Sequence, residues 1–194
     1  MITIRGTTTL IAHIGYPTEA FKAPMIFNLY FEANGIDAVV MPMGVEAEDY
    51  AIVLPSIFKL TNIRGALITM PHKVTTVDMV DEVTPTAKIA GARNAILRRP
   101  DGSLLGDMFD GAGFVRGIQR KGLNLTGKRV LVVGSGGVGC AIAASLAAAA
   151  LKNAVISDFI TTSPTKVVGA MRETSIGNLS PGFMPIGVAF TTRS

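Results

Sequence analysis

The hydrophobic pattern changes period several times along the first half of the chain. Thr9 to Ile14 (TLIAHI) is a short apolar run closed by Gly15-Tyr16-Pro17, and it predicts a first strand. Pro24 suits the first turn of a helix; Ile26, Leu29, Tyr30 and Ala33 follow at helical spacing, and Asn34-Gly35 stop it. Asp37 to Met43 predicts a second strand. Ala47 to Leu60 is helical in pattern, with Pro55 expected to kink or break it. Gly65 to Thr69 shows no alternation and predicts a third strand buried on both faces. Thr84-Pro85 caps a short helix that Gly91 ends, and Arg93–Arg98 with Ser103–Asp107 flank Pro100-Asp101-Gly102 as a hairpin. Gly111 to Lys121 predicts a helix leading to Gly127.

The pattern then switches to Arg129-Val-Leu-Val-Val-Gly134. Gly134-Ser135-Gly136-Gly137-Val138-Gly139 matches G-x-G-x-x-G between an apolar strand and an Ala-rich helix. The first glycine of such a loop permits a tight turn, and the second lets backbone approach a pyrophosphate. The third brings the helix against the strand, with its N–H groups aimed at the anion. Ala154 to Asp158 predicts a further strand ending in an acid placed to read the ribose hydroxyls, which favours NAD over NADP. A helix over 165–173 and a strand over Ile186–Phe190 complete the reading. These elements predict an α/β chain with a domain boundary near 111–126: a three-layer α/β domain over 1–115, then a partial, doubly wound parallel nucleotide-binding domain over 116–194.

Composition narrows the function. A 48% hydrophobic content over 194 residues supplies a real core, while Lys+Arg exceeds Asp+Glu by only 4 (18 against 14). Scattered basic residues and 6% aromatics argue against a nucleic-acid surface. The single Cys140 excludes an internal disulfide, reads as a small buried hydrophobe, and with no visible leader predicts a cytoplasmic chain. Val130 to Leu151 holds no charge and mimics a membrane span, but its β-branched start, glycine centre and alanine end read as strand, turn and buried helix. No metal and no membrane partner is expected.

The first half also carries motifs. Gly65-Ala-Leu67-Ile-Thr69-Met-Pro71-His72-Lys73 resembles the G-x-N-V-T-x-P-x-K motif of shikimate dehydrogenases. Gly91-Ala-Arg93-Asn94-Ala95 resembles their G-A-V-N-T, and Gly106-Asp-Met108-Phe109-Asp110-Gly-Ala-Gly113-Phe114 their G-x-N-T-D-x-x-G-F. Gly15-Tyr-Pro17, Pro24 and Asn28 are similar to their opening G-N-P…S-x-S-P…N segment, all in family order. The resemblance implies NAD(P)-linked interconversion of a ring alcohol and ketone, as in shikimate and 3-dehydroshikimate. It implies that Lys73 and Asp110 form the acid/base pair and that Thr69 and Asn94 contact substrate hydroxyls. Taken alone, Lys73 is an ordinary solvated lysine and Asp110 an N-cap. His13 reads as a satisfied core histidine and His72 as structural.

Departures from the motifs fall on hydrogen-bonding positions. Phe21 and Ala23 stand where the family has its two carboxylate-binding serines, and Leu67 stands for the Asn. Met108-Phe109 replaces N-T, and Ala95 replaces the Thr after Asn94. A bond to a charged ligand group is worth about 1.5–3 kcal/mol, so these losses predict weak shikimate affinity and a paralogue acting on a related, less polar acid. Lys22 and Arg93 are cations near the vacated positions: either one of them anchors the acid, Arg93 being better suited to a bidentate carboxylate, or Arg93 is a solvated strand-end arginine. The 68 residues after Thr126 hold one βαβαβ half at best, so the resemblance implies a chain shortened at its C-terminal end. Such a sheet leaves an unpaired edge, so a homodimer is possible, and so is a non-catalytic binding module for a small acid or a nucleotide.

Overall fold

Proline, glycine and asparagine fix where the first elements begin and end. The computed structural model describes residues 3–134, 136–149, 153–157 and 187–191. Strand β1 (Thr9–Gly15) leads to helix α1 (Ala23–Ala33), whose first turn holds Pro24 and whose end is followed by Gly35 at φ 63°. Strand β2 (Ala38–Gly44) is an edge strand. Asn28 on α1 grips it from the side: its Nδ2 donates to the Val40 oxygen at 3.1 Å, and its Oδ1 accepts from the Val40 N–H at 2.8 Å.

Helix α2 (Tyr50–Ile57) is shorter than its apolar pattern predicts, because residues 47–49 form a turn instead. Pro55 lies inside α2 without breaking it, while Tyr50, Leu54 and Phe58 put one buried stripe on the sheet. Strand β3 (Ile63–Ile68) is central, as its lack of alternation predicts. A short two-residue strand β4 (Glu82–Val83), which no sequence period signals, precedes α3 (Pro85–Ala90). Thr84 caps α3 by accepting from the Ala87 N–H, and Gly91 closes it at φ 60°.

Strands β5 (Ala95–Arg98) and β6 (Leu104–Asp107) form the predicted hairpin, turned at Gly102 with φ 89°. The six-stranded sheet runs β2-β1-β3-β5-β6-β4; β1 is parallel to β2 and β3, and β5 is antiparallel to β3 and β6. Ala12 and Ile14 pack with α2 on one face, while Ile11, Ala38 and Val40 pack with Phe31 of α1 on the other. The result is helix, sheet, helix. On α1 the stripe Ile26, Leu29 and Tyr30 remains exposed, and Phe31 is the residue it buries.

Helix α4 (Asp110–Arg120) leads into β7 (Arg129–Val133), α5 (Gly137–Ala148) and β8 (Asn153–Ser157), a right-sized β-α-β unit with β7 parallel to β8. Val115 of α4 joins Val130, Val132, Ile142 and Leu146 in a second apolar cluster. A Cβ on Gly111 would run into the Ala141 oxygen and the Ser145 hydroxyl, so this glycine lets α4 lie directly on α5. Strand β9 (Gly187–Thr191) pairs with the free edge of β7, but antiparallel. The expected all-parallel sheet is therefore corrected among the described residues: β9 takes the edge of β7 that β8 leaves free, satisfies its N–H and C=O groups, and runs against it. The predicted helix over 165–173 lies outside the described residues. No helix among the described residues is long and apolar enough to cross a membrane.

Candidate active site

The loop after β3 carries Lys73, and a buried polar cluster holds that loop in place. His72 stacks on Tyr50 with ring centroids 3.9 Å apart, and its Nε2 donates to the Val45 oxygen at 2.8 Å. The Thr76 hydroxyl donates to the His72 oxygen, so the Tyr50 hydroxyl, 2.7 Å away, must donate to Thr76. Burial raises the Tyr50 phenol to about 12 and lowers His72 below the ordinary histidine range. His72 is thus a structural residue beside a functional candidate.

Lys73 Nζ donates to Asp110 Oδ2 at 2.5 Å, with both side chains partly accessible. The lysine comes from the C-terminal end of β3 and the aspartate from the first residue of α4. Asn94 completes the pair from the start of the hairpin. Its Nδ2 donates to Asp110 Oδ1 at 2.8 Å, and its Oδ1 accepts from the Phe109 N–H at 2.9 Å. Its backbone is pinned as well, through the Ile68 N–H and the Asp107 oxygen. Asn94 therefore holds the aspartate, a contact its expected role toward substrate did not include. Thr69 sits beside it, its N–H on the Ile14 oxygen. An ammonium on a doubly bonded carboxylate at the end of a sheet can hold a proton at a defined oxygen of a bound molecule.

The apolar departures fall in separate places: Met108 is buried with Ala87, Ala90, Ala92 and Ala141, while Phe21 and Leu67 lie on the α1 side of the sheet. The Phe21 ring lies 4.1 Å from the His13 ring, and a Cβ on Gly15 would approach both Phe21 and Thr69. Ala23 opens α1. Leu67 packs with Ile11, Phe31, Ala38 and Val40, and Leu67, Ile11, Phe31 and Val40 line an apolar groove of about 350 Å³ together with Ile26, Phe27 and Tyr30. A larger concavity of about 580 Å³, bordered by Arg64, Arg98 and Arg99, lies at the opposite end of the sheet and touches none of the candidate residues.

Residues 13–96 match the family of the shikimate dehydrogenase substrate binding domain. The chain is 33% identical over 171 residues to the shikimate dehydrogenase (NADP(+)) of Moorella thermoacetica, covering 88% of this chain and 57% of that protein. It is 37% identical over 156 residues to the enzyme of the same name from Pelobacter propionicus, covering 80% and 55%. The chain belongs to the shikimate dehydrogenase family. The crystal structure of shikimate 5-dehydrogenase from Listeria monocytogenes, in complex with shikimate and NAD, superposes with a TM-score of 0.73 at 30% identity, over 80% of this chain and 53% of that one. The chain thus spans about half the length of the shikimate dehydrogenases it matches.

Within that family frame Arg93 is placed differently from the sequence expectation. It is 3% exposed, and its Nη1 donates to the Ala87 and Ala92 oxygens at 2.5 and 3.0 Å. The Ala87 carbonyl in the last turn of α3 and the Ala92 carbonyl beyond it thus hold the guanidinium inside the protein. Burial lowers its pKa, against the opposing pull of Asp78 and Asp107. Lys22 is exposed.

The glycine loop lies close by. Gly134 adopts φ 108°, and a Cβ on Gly139 would collide with the Gly134 oxygen, so the turn and the helix approach need glycine at both. A Cβ on Gly137 would collide with Ala92, the residue beside Arg93 and Asn94, so the start of α5 abuts the hairpin entrance. Gly136 meets no atom within 4 Å on its Cβ side, leaving its backbone open, and Val138 packs inward. An open second glycine before a helix N-terminus fits a pyrophosphate. Ser135 and Asp158, both expected at a cofactor, lie outside the described residues. Among the described residues no three His, Cys, Asp or Glu are placed to hold a metal.

His13 is the residue sequence reasoning placed least well. It is buried, 7% exposed, yet its Nδ1 has no hydrogen-bond partner. A lone polar residue in the run TLIAHI was the available signal.

Proposed function

We propose that the chain is an oxidoreductase of the shikimate dehydrogenase type, interconverting a ring alcohol and a ketone on a cyclic hydroxy acid. The observation that carries this reading is the Lys73–Asp110 contact, braced by Asn94, beside the glycine loop. A nicotinamide cofactor, when bound, takes or returns the hydride. Gly134, Ser135, Gly136, Gly137, Val138 and Gly139 would hold its pyrophosphate, and Asp158 its ribose, which favours NAD. The chain's own residues handle the proton. In oxidation the substrate O–H proton passes to Lys73, and in reduction the Lys73 ammonium returns it to the oxygen. Asp110 keeps the ammonium aimed, and Thr69 and the remaining N–H of Asn94 are available to ring hydroxyls.

The division of labour puts substrate binding in residues 1–115 and the nucleotide in 116–194. Phe21, Ala23 and Leu67 offer no hydrogen bond where the related motif carries Ser, Ser and Asn, which supports an acid less polar than shikimate. The test is cofactor-dependent oxidation of shikimate, quinate and less hydroxylated ring alcohols by the purified chain, with NAD and NADP compared. Turnover of a ring hydroxy acid, with NAD preferred, supports the reading. The loss of hydrogen-bonding residues at Phe21, Ala23 and Leu67 favours a second reading, a non-catalytic binding module, and ligand binding without turnover selects it.

A further inference from the structure

His13 occupies a buried position of β1, and among the described residues its Nδ1 has no hydrogen-bond partner. Its surroundings give that nitrogen a context. The β1–β3 register sets His13 beside Leu67, and Leu67 is two residues before Thr69 on the same sheet face. The Phe21 ring lies against the imidazole, tilted by 33°. The Lys73 ammonium is near enough to act on it electrostatically. His13 is therefore ringed by Leu67, Phe21 and Lys73: two positions where the related motifs carry hydrogen-bonding residues, and the proposed catalytic cation. The polar groups are missing from their usual places, and one polar group has appeared among them.

We propose that His13 is a specificity-determining contact of this site, its unpartnered Nδ1 hydrogen-bonding a hydroxyl of the substrate ring. The proposal rests on the functional reading above. Burial and the Lys73 charge both favour the neutral ring, which can accept from a hydroxyl or donate to one according to its tautomer. A hydroxyl pairs with Nδ1 in either tautomer, whereas a carboxylate can only accept, so a hydroxyl is the matching group whichever nitrogen carries the proton.

The chain has only two histidines, so imidazole nitrogen resonances are assigned by a single His13→Gln spectrum. Shikimate, quinate and cyclohex-1-ene-1-carboxylate, which has no hydroxyl, are titrated into wild-type chain, His13→Phe, His13→Gln and Lys73→Ala. The expected result is a displaced His13 Nδ1 resonance with a hydroxylated acid, an unmoved His72, and about tenfold weaker binding of that acid by His13→Phe. Affinity for the hydroxyl-free acid should be the same in wild type and His13→Phe. A merely structural histidine would weaken all probes together. If the ratio of hydroxylated to hydroxyl-free binding is unchanged in both His13 variants while Lys73→Ala still weakens binding of every probe, the His13 contact is overturned and the site stands. If no probe binds, or if Lys73→Ala binds all of them as wild type does, the site reading falls and takes this contact with it.

Discussion

Arg93 has its guanidinium among the last carbonyls of α3, so removing it acts on stability before it acts on ligand. Truncation leaves the Ala87 and Ala92 oxygens without their charged donor and opens the space the stem fills against Gly106 and Val80. Arg93→Ala is expected to lose about 2 kcal/mol, or roughly 4–8 °C in Tm for a chain of this size, with ligand affinity lost only as far as Asn94 shifts. Calorimetry on the variant checks this; an unchanged Tm with lost ligand affinity would restore the carboxylate-anchor role. The two histidines make a second prediction. Burial lowers both imidazoles below their ordinary 6.5, so the unfolded chain binds more protons in mild acid than the folded one. Their contribution to stability is complete above that value and is lost as the pH falls below it. The urea midpoint should drop between about pH 7.5 and about pH 5.5, and drop less in His13→Gln. A midpoint that holds or rises in acid contradicts this. Asn94 shows what a sequence hides at this scale: its partner Asp110 is 16 residues away and becomes a neighbour only when the hairpin folds back.

At the scale of elements, local signals were legible and pairing partners were not. Pro24, Gly35, Thr84 and Gly91 act within one turn of themselves, and the helices they bound lie where their chemistry requires. The direction of β9 and the existence of β4 depend on which edge is free, a property of the assembled sheet. The same holds for α1, whose apolar stripe would be read as buried but is mostly exposed, because Asn28 sets its seat on β2. The glycine loop lies between these cases. Its motif is visible in sequence, and its reason is visible in the contact of Gly139 with the Gly134 oxygen. Gly139→Ala must push α5 away from the turn, at a cost of about 1–3 kcal/mol typical of overpacking. Cofactor titration followed by nicotinamide fluorescence should show lost affinity in that variant; affinity equal to wild type would mean the loop does not hold the pyrophosphate.

For the whole molecule, the central feature is that the proposed pair is contributed by two separate elements. Lys73 stands on the loop that follows β3 of the six-stranded sheet, while Asp110 opens the helix that Gly111 allows to rest on α5. The described glycine loop meets the same region through Gly137 and Ala92. Family membership and motif order were legible because the matching residues cluster in the loops at one end of the sheet. The substrate was not, because the proposed recognition positions Phe21, Ala23 and Leu67 are the ones that depart from the motifs. The claim that Lys73 moves the proton is tested most directly by single-turnover oxidation of the preferred ring alcohol. Wild type is compared with Lys73→Ala at saturating cofactor and substrate. The account predicts a rate about 10²–10⁴-fold lower in the variant with cofactor affinity unchanged. A Lys73→Ala rate equal to wild type would contradict it.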